Sequence, residues 1–406
     1  MEKNEKRLIF FMPSMEGGGV EKNLILIANY ISKYKKKVCL ITFDDSFNKY
    51  FDKKILIINA RKKSSLRFSK YYKYLFCIYL LIKEYFKDNN ILLFSFQANI
   101  YMIILSFFFK FKIISRSNSS PSGWNKNFFK NLVFKYFFKK ADCIIVNSKQ
   151  FQLEFKKKFN IKTQLIYNPL NKHEIIKKSA LNFKKDTFKK NKLKIINIAR
   201  LTDQKDHLTL IKALNIVKKD IRFNLVIIGY GVNKSLIQKK IKNFNLQKSV
   251  KILGYRSNPY PYLRASDLFI LTSKYEGLPN VILEAQVLKK YVISSDCPTG
   301  PKEILLNGKT GTLFKVGDYK QLAIEIKNFY YNRNKMRKKI KKAFQMLNRF
   351  EFEKNCYRYL FLVNKYIWNY SQLKISILRG LSYFLLRNNN IVLKIKSIII
   401  KVNGVS

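Results

Sequence analysis

Short apolar runs recur along this chain, and each is followed by a polar loop and then by a segment with helical spacing of its apolar residues. That alternation leaves few folds open. Parallel strands cannot be joined by tight turns, so each needs a helical crossover, and the result is an open sheet covered by helices on both faces. The rhythm starts at Arg7-Leu-Ile-Phe-Phe-Met12 and passes through Val38-Cys-Leu-Ile-Thr42 and a short strand at Ile55–Ile58. It continues through Ile91–Phe96 and Lys112–Ser115 to Ala141-Asp-Cys-Ile-Ile-Val-Asn147. It resumes at Leu193-Lys-Ile-Ile-Asn-Ile-Ala-Arg200 and is kept to about residue 330. Between the two series, the segment from Tyr167 to Lys192 is polar, lysine-rich and without clear period, which reads as an interdomain linker. The fold class expected is α/β, with two Rossmann-like doubly wound domains facing a central cleft. The boundaries are 1–180 and 190–350, with a helical segment at 351–406 returning to the first domain or to a membrane surface.

The most informative turn is Ser273-Lys-Tyr-Glu-Gly-Leu-Pro-Asn-Val-Ile-Leu-Glu284. It follows the buried-strand pattern Asp267-Leu-Phe-Ile-Leu-Thr272, and Pro279 suits the first turn of a helix, where a missing N–H costs nothing. Glu276 therefore lies in the loop and Glu284 inside the helix. The free amides and positive dipole end of a helix N-terminus attract phosphate. Carboxylates accept hydrogen bonds from hydroxyls, so this turn has the parts to hold a sugar and a ribose on either side of a diphosphate. The bland alternative is a loop glutamate and a helix glutamate paired with some of the many lysines.

Other loops at the same sheet edge carry matching chemistry. Pro13-Ser-Met-Glu-Gly-Gly-Gly-Val20 joins the first strand to its helix. It is no dinucleotide fingerprint, since Lys22 stands where GxGxxG needs its last glycine. Gly18 and Gly19 would let backbone approach a ligand closely, although a tight structural turn reads equally well. Arg200 ends a strand and Lys205 precedes a helix capped by Asp206, so both cations converge on one helix N-terminus, where the charge of a departing diphosphate would grow. Gly229 closes the strand Phe223–Ile228, and Tyr255 and Arg256 leave the strand at Val250. Ser115-Arg-Ser-Asn-Ser-Ser-Pro-Ser-Gly123 is a polar exit loop offering Arg116 and Asn118. The two histidines, His173 and His207, read as structural.

The paired glutamates, the Gly-Gly-Val-Glu loop, Arg200 with Lys205 and the segment Asp296-Cys-Pro-Thr-Gly-Pro-Lys-Glu303 resemble the motifs of family 4 retaining glycosyltransferases, which have the GT-B fold. The resemblance spans roughly residues 7–345. It implies that Glu276 contacts a donor sugar and Glu284 the nucleotide ribose. Arg200, Lys205 and the Gly277 and Leu278 amides would stabilise the leaving diphosphate. Gly18, Gly19, Gly229, Thr299 and Gly300 would line the donor cleft, Tyr255 and Arg256 would touch the base, and Arg116 and Asn118 would face the acceptor. The chain departs from the family pattern in offering Arg116 and Asn118 where many relatives carry a histidine. The resemblance implies a nucleotide-diphosphate sugar donor, a UDP-sugar, and a growing surface glycan as acceptor, with polyprenyl-diphosphate-linked glycans among the candidates. No Asp-x-Asp and no His/Cys cluster occurs, so no essential metal or cofactor is expected.

Charge frames the partners. Lys+Arg number 80 against 25 Asp+Glu, a net charge of +55 spread along the chain. Such a chain is drawn to anionic surfaces, nucleic acid or the inner face of a membrane, although the abundance of Lys, Asn, Ile, Tyr and Phe also matches an AT-rich genome. A nucleic-acid-binding protein is the competing class, but the cations form no recognisable motif and the carboxylate pair has no role there. A GT-B epimerase or phosphorylase is the competing enzyme reading. The cysteines Cys39, Cys77, Cys143, Cys297 and Cys356 are scattered without CxxC, which suits a reducing cytoplasm. The N-terminal Met-Glu-Lys-Asn-Glu-Lys lacks a signal-peptide core. Ile91–Phe109 carries no charge and is long enough to cross a membrane, but Gln97 and Asn99 interrupt it, which favours strand, turn and helix. From Ser371 to Lys401 the tail is rich in Leu and Ile, dotted with cations and free of acids, the pattern of an amphipathic helix on a membrane or of a terminal helix packed back on the first domain. The expected place is the cytoplasm, peripheral on the inner face of the cytoplasmic membrane.

Overall fold

The computed structural model describes residues 5–60, 68–118, 128–181 and 187–367. The first unit runs β1 (Arg7–Phe11), α1 (Gly19–Ile31), β2 (Val38–Ile41), β3 (Leu56–Ile58), α2 (Lys70–Lys87), β4 (Ile91–Ser95), α3 (Asn99–Phe109), β5 (Lys112–Arg116), α4 (Phe128–Phe138), β6 (Cys143–Val146), α5 (Lys149–Phe159) and β7 (Gln164–Leu165). Then come α6 (Lys172–Ser179), β8 (Leu193–Ile198), α7 (His207–Val217), β9 (Phe223–Ile228), α8 (Lys234–Asn243), β10 (Val250–Ile252), α9 (Tyr260–Ala265) and β11 (Leu268–Leu271). The chain closes with α10 (Asn280–Val287), β12 (Tyr291–Ser295), α11 (Pro301–Ile304), β13 (Thr312–Phe314), α12 (Tyr319–Tyr331), α13 (Arg333–Gln345) and α14 (Phe352–Ile367).

Two separate parallel sheets result, ordered β3-β2-β1-β4-β5-β6-β7 and β10-β9-β8-β11-β12-β13. Both are Rossmann-like, as the strand–helix rhythm requires. In each sheet the order reverses beside the first strand, between β1 and β4 and between β8 and β11. The loops leaving those strands flank the crevice where α/β sheets take ligands. Strands β2, β4, β9 and β12 are buried at every position, because helices cover both faces. The pleat sorts neighbours to opposite faces: Leu8 and Phe10 pack on one side of the first sheet, Ile9 and Phe11 on the other.

Residues 91–109 fold as strand, turn and helix, and no helix among the described residues is long and apolar enough to cross a membrane. The linker needs correction. Part of it is α6, capped by the Asn171 side chain, which accepts the Glu174 amide, with Ile175 buried in the core of the second unit. A lysine-rich surface hides the one apolar contact that holds this helix. Past residue 350, α14 crosses back to the first unit, where Cys356, Tyr359, Leu360, Val363 and Ile367 join the core beside α1. The Leu170 amide donates to the Phe350 carbonyl at 2.8 Å, so the outgoing and returning chains run side by side. Residues 368–406, and with them the tail pattern read from sequence, lie outside the described residues.

If α14 is part of the first core, Tyr359→Ala should lower the unfolding free energy by about 3–5 kcal/mol, as for other buried aromatics. Phe361→Ala, on the exposed side of the same helix, should cost less than about 1 kcal/mol. Urea denaturation of both variants checks this; equal effects would remove α14 from the core.

Candidate active site

The β8 exit loop supplies Arg200, a short 3-10 turn at Asp203–Lys205, and Asp206, whose carboxylate caps α7 through the Thr209 amide. The β11 exit loop lies beside it because the two strands pair. The two loops are stitched together: Thr272 Oγ1 donates to the Lys205 carbonyl at 2.9 Å, and the Lys274 amide donates to the Gln204 carbonyl at 2.8 Å. Lys205 Nζ then meets Glu276 Oε1 at 2.5 Å, and Ser273 Oγ donates to the same oxygen at 2.6 Å. The β12 exit loop fixes the peptide of Glu276. The Glu276 amide donates to the Pro298 carbonyl at 2.6 Å, and its carbonyl accepts the Thr299 amide and hydroxyl at 3.2 and 3.1 Å.

The turn beyond Glu276 leads into α10. Among the described residues, the Gly277 and Leu278 amides find no acceptor, so the start of this helix keeps its anion-attracting character. Gly277 must lack a side chain, since a Cβ there would stand 2.6 Å from the Asn118 carbonyl oxygen of the first unit. Asn168 spans the units from the same side, donating to the Leu278 carbonyl at 3.1 Å and to Asn280 Oδ1 at 2.7 Å. Farther along α10, Glu284 is buried. Its Oε1 accepts Lys22 Nζ at 2.8 Å and the Tyr260 hydroxyl at 3.2 Å, while Oε2 is buried with no partner among the described residues. Burial disfavours the Lys22 ammonium, but the Glu284 carboxylate and the Tyr260 oxygen outweigh that and raise its pKa above the ordinary lysine value.

The glycine loop of the first unit lies directly over these groups. Glu16 Oε2 sits 3.0 Å from Arg200 NH1, and the Tyr230 hydroxyl donates to the Glu16 carbonyl at 2.9 Å. Asn280 Nδ2 donates to the Gly19 carbonyl at 3.2 Å. Gly17 has φ +75°, a backbone conformation that favours glycine, and it packs against the Tyr255 ring. The loop itself is anchored from beneath, with the Met15 amide on Asp44 at 2.7 Å and Asp44 paired with Lys73 at 2.9 Å.

The structure thus gathers Arg200, Lys205, Glu276, Gly277, Leu278, Glu284, Gly18 and Gly19 around one cleft. Gly229 supports it from below, packed so tightly on the Ala199 carbonyl that a Cβ would collide. Tyr255 forms a wall under Gly17 with its ring edge-on to Tyr230, and Arg256 is exposed beside it, donating to the Tyr255 carbonyl. Three expectations change. Thr299 is fully buried and donates to the Glu276 and Gly277 carbonyls, and Gly300 packs on Gly277 and Leu278. These two hold the turn and do not line the cleft. Arg116 is fully buried, stacked on Phe96 and hydrogen-bonded to Asn118, to Asn168 Oδ1 at 2.6 Å and to the Tyr359 hydroxyl at 3.1 Å. It cannot touch an acceptor; it orients the two asparagines that brace the Gly277 turn. Asn118 does reach that turn, through its backbone carbonyl. Sequence reasoning missed Glu16, Lys22, Ser273, Asn168, Tyr260 and Asn280. Lys22 had been noted only as the residue that breaks a dinucleotide fingerprint; its partner lies 262 positions away.

Two parallel-sheet Rossmann-like units with their switch-point crevices facing each other are the GT-B architecture of glycosyltransferases. The chain belongs to the group 1 glycosyltransferases: residues 178–346 match the family described as "Glycosyl transferases group 1". It is 33% identical over 276 residues to a glycosyltransferase of Methanocaldococcus jannaschii, covering 62% of this chain and 66% of that one. It is 29% identical to the Campylobacter jejuni N-acetylgalactosamine-N,N'-diacetylbacillosaminyl-diphospho-undecaprenol 4-alpha-N-acetylgalactosaminyltransferase, covering 77% of this chain and 86% of that one. The fold matches the crystal structure of Anabaena HepE in complex with UDP and glucose with a TM-score of 0.71 at 18% identity, over 89% of this chain and 100% of that one.

His207, the first residue of α7, is buried with Nε2 3.0 Å from Asn197 Oδ1. Burial first, and then the neighbouring Lys205 charge, push its pKa down to about 4 from 6.5. Between those values the unfolded chain takes a proton that the folded chain refuses, so stability present above pH 6.5 is lost as pH falls. About 2 kcal/mol should be gone by pH 5. His207→Gln should flatten this part of the stability–pH curve, as measured by urea denaturation between pH 7 and pH 5. An unchanged slope would show that the imidazole is not held neutral.

Proposed function

We propose that the chain transfers a sugar, with retention of anomeric configuration, from a UDP-sugar to a growing surface glycan carried on a polyprenyl diphosphate. The observation that carries the donor reading is the register along α10. A buried Glu284 oxygen without a partner lies one helical stretch from the free Gly277 and Leu278 amides, and those lie beside Lys205, Arg200 and Glu276. Ribose, diphosphate and sugar follow one another in that order in a nucleotide-diphosphate sugar. The acceptor reading is supported by the undecaprenyl-linked acceptor in the Campylobacter relative's name.

In this reading the ribose hydroxyl donates to Glu284 Oε2. The diphosphate lies across the α10 start and takes Arg200 from Glu16. As the glycosidic bond to the diphosphate lengthens, negative charge gathers on the leaving oxygen and is met by Lys205, Arg200 and the two amides, which are already in place. Glu276, held by Lys205 and Ser273, orients the sugar hydroxyls. The acceptor hydroxyl attacks from the face the diphosphate leaves, and its proton passes to a leaving phosphate oxygen, so no side-chain base is needed. With the leaving charge met by lysine, arginine and backbone, we propose that turnover requires no metal. The basic chain would work at an anionic membrane surface, where a lipid-linked acceptor resides.

The test is acceptor-dependent UDP release across a panel of UDP-sugars with lipid-linked acceptors, with and without EDTA. Lys205→Ala should lower kcat about 10²- to 10³-fold, as for loss of one preorganised oxyanion donor, and Glu276→Ala should abolish measurable transfer. Glu284→Gln should raise the donor KM about tenfold or more while changing kcat little, since the ribose contact is uniform between ground and transition state. No turnover with any donor, or full activity in Glu276→Ala, would refute the mechanism.

A further inference from the structure

Helix α2 is apolar on both faces: Phe76, Cys77, Leu80 and Leu81 pack inward on the sheet core, and a second apolar stripe faces outward. Its buried stripe is Lys73, Cys77, Leu81 and Glu84, and two of these are charged: Lys73 pairs with Asp44 at 2.9 Å and Glu84 with Arg7 at 2.8 Å. Its outward stripe, Tyr71, Leu75, Tyr79 and Phe86, follows helical spacing and is exposed, Phe86 to 77% and Leu75 to 68%. A surface helix normally keeps its outward face polar.

The apolar surface continues sideways. Tyr74 of α2 meets Tyr101 of α3 edge-on, and α3 exposes Phe107 and Phe108, the latter to 69%. Lys140, just past α4, lies over both Phe107 and Tyr136, which joins α3 to the exposed Leu132, Val133 and Tyr136 of α4. Contiguous exposed apolar surface of this kind marks an interaction site. Basic composition alone does not account for it. Helix α5 covers the same sheet face, yet it buries Phe151, Phe155 and Phe159 and turns Lys156, Lys157 and Lys158 outward, leaving only Leu153 as an exposed large apolar residue.

Charge selects the occupant. Helices α3 and α4 contain no acidic residue, and the one acid of α2, Glu84, is buried, whereas Lys70, Lys83, Lys135 and Lys139 are exposed around the aromatics. A second copy of this chain would bring the same positive face and repel it. Nucleic acid favours a basic groove with stackable rings, but this surface is the outer side of a helical layer and includes Leu75, Leu132 and Val133. Apolar side chains among lysines match the boundary between anionic headgroups and acyl chains.

We propose that the outward face of α2, α3 and α4 docks on an anionic phospholipid surface, with Leu75, Phe86 and Phe108 entering the headgroup–acyl boundary and the lysines meeting the headgroups. This rests on the membrane partner proposed above and assigns it to one surface of the first unit. The acceptor would then reach the cleft from the membrane on which that unit sits.

The experiment uses the full chain and phosphatidylglycerol vesicles at about 0.15 M salt, with phosphatidylcholine vesicles and duplex DNA as competitors. The wild type should cosediment with the anionic vesicles. The pair Leu75→Asn/Phe108→Asn should bind at least about tenfold more weakly, with an unchanged melting temperature and unchanged transfer to a water-soluble acceptor. Lys338→Gln/Lys341→Gln on α13, an ordinary amphipathic helix, should bind like the wild type. In Phe86→Trp the new indole should shift its emission to the blue on vesicle addition. No vesicle binding by the wild type would overturn the membrane reading as a whole. Full binding by the Asn pair, or an unmoved Phe86→Trp spectrum, would overturn this face while leaving membrane binding standing. Preferential binding to DNA would overturn both, and transfer to the soluble acceptor reports on the enzyme reading separately.

Discussion

The peptide and carboxylate of Glu276 are where three loops become one turn. Parallel strands deliver the ends of β8, β11 and β12 to one sheet edge, but loops at an edge are not yet a site. Lys205 and Ser273 take the carboxylate, while Pro298 and Thr299 take the two ends of the peptide. With those groups satisfied inside the protein, the following amides of Gly277 and Leu278 are left without an acceptor among the described residues. The cost of leaving them unpaired is borne by the rest of the turn, and it is what makes the start of α10 receptive to an anion.

The same economy governs charge. With a net charge of +55, the acids of this chain are few and their placement matters. Several stand opposite cations at strategic points: Glu284 with Lys22, Glu16 with Arg200, Glu276 with Lys205, and Asp44 with Lys73. The first two pairs join the units across the cleft. They neutralise groups that would otherwise meet as bare charges, and they are the pairs a bound diphosphate and ribose would have to rearrange. Arg116 is the exception that shows the rule. Among the described residues its partners are neutral, and Asn118, Asn168, Tyr359 and the face of Phe96 share the task of solvating a buried guanidinium. In doing so it ties α14 and the interdomain chain to the turn beneath the cleft.

Much of this was legible in one dimension. Strand and helix follow from local periodicity, and a parallel sheet forces each loop to one of two edges, so Arg200, Lys205, Glu276 and Glu284 could be placed at one sheet edge, and the family resemblance joined them into one site. Proline at 279 likewise marks the start of α10 directly. What stayed hidden has a common cause. Lys22, Asn168 and Tyr260 acquire their roles from partners hundreds or tens of residues away, and a polar residue in a loop carries no mark of whom it will meet. The family resemblance points Arg116 and Thr299 at the ligand; only packing reveals that they face the protein. Helix α6 was lost in a lysine-rich stretch because a single buried isoleucine, Ile175, decides it.

By itself, then, the sequence determined the two doubly wound sheets, the edge at which chemistry gathers and the residue types available there, because these depend on period, turn chemistry and short-range charge. The tertiary structure decided which side chains face the cleft and which brace it, which acid answers which cation across the units, and which face of α2 meets water. Those outcomes depend on contacts between distant segments, and such contacts leave no local signature in a chain whose lysines and aromatics are everywhere.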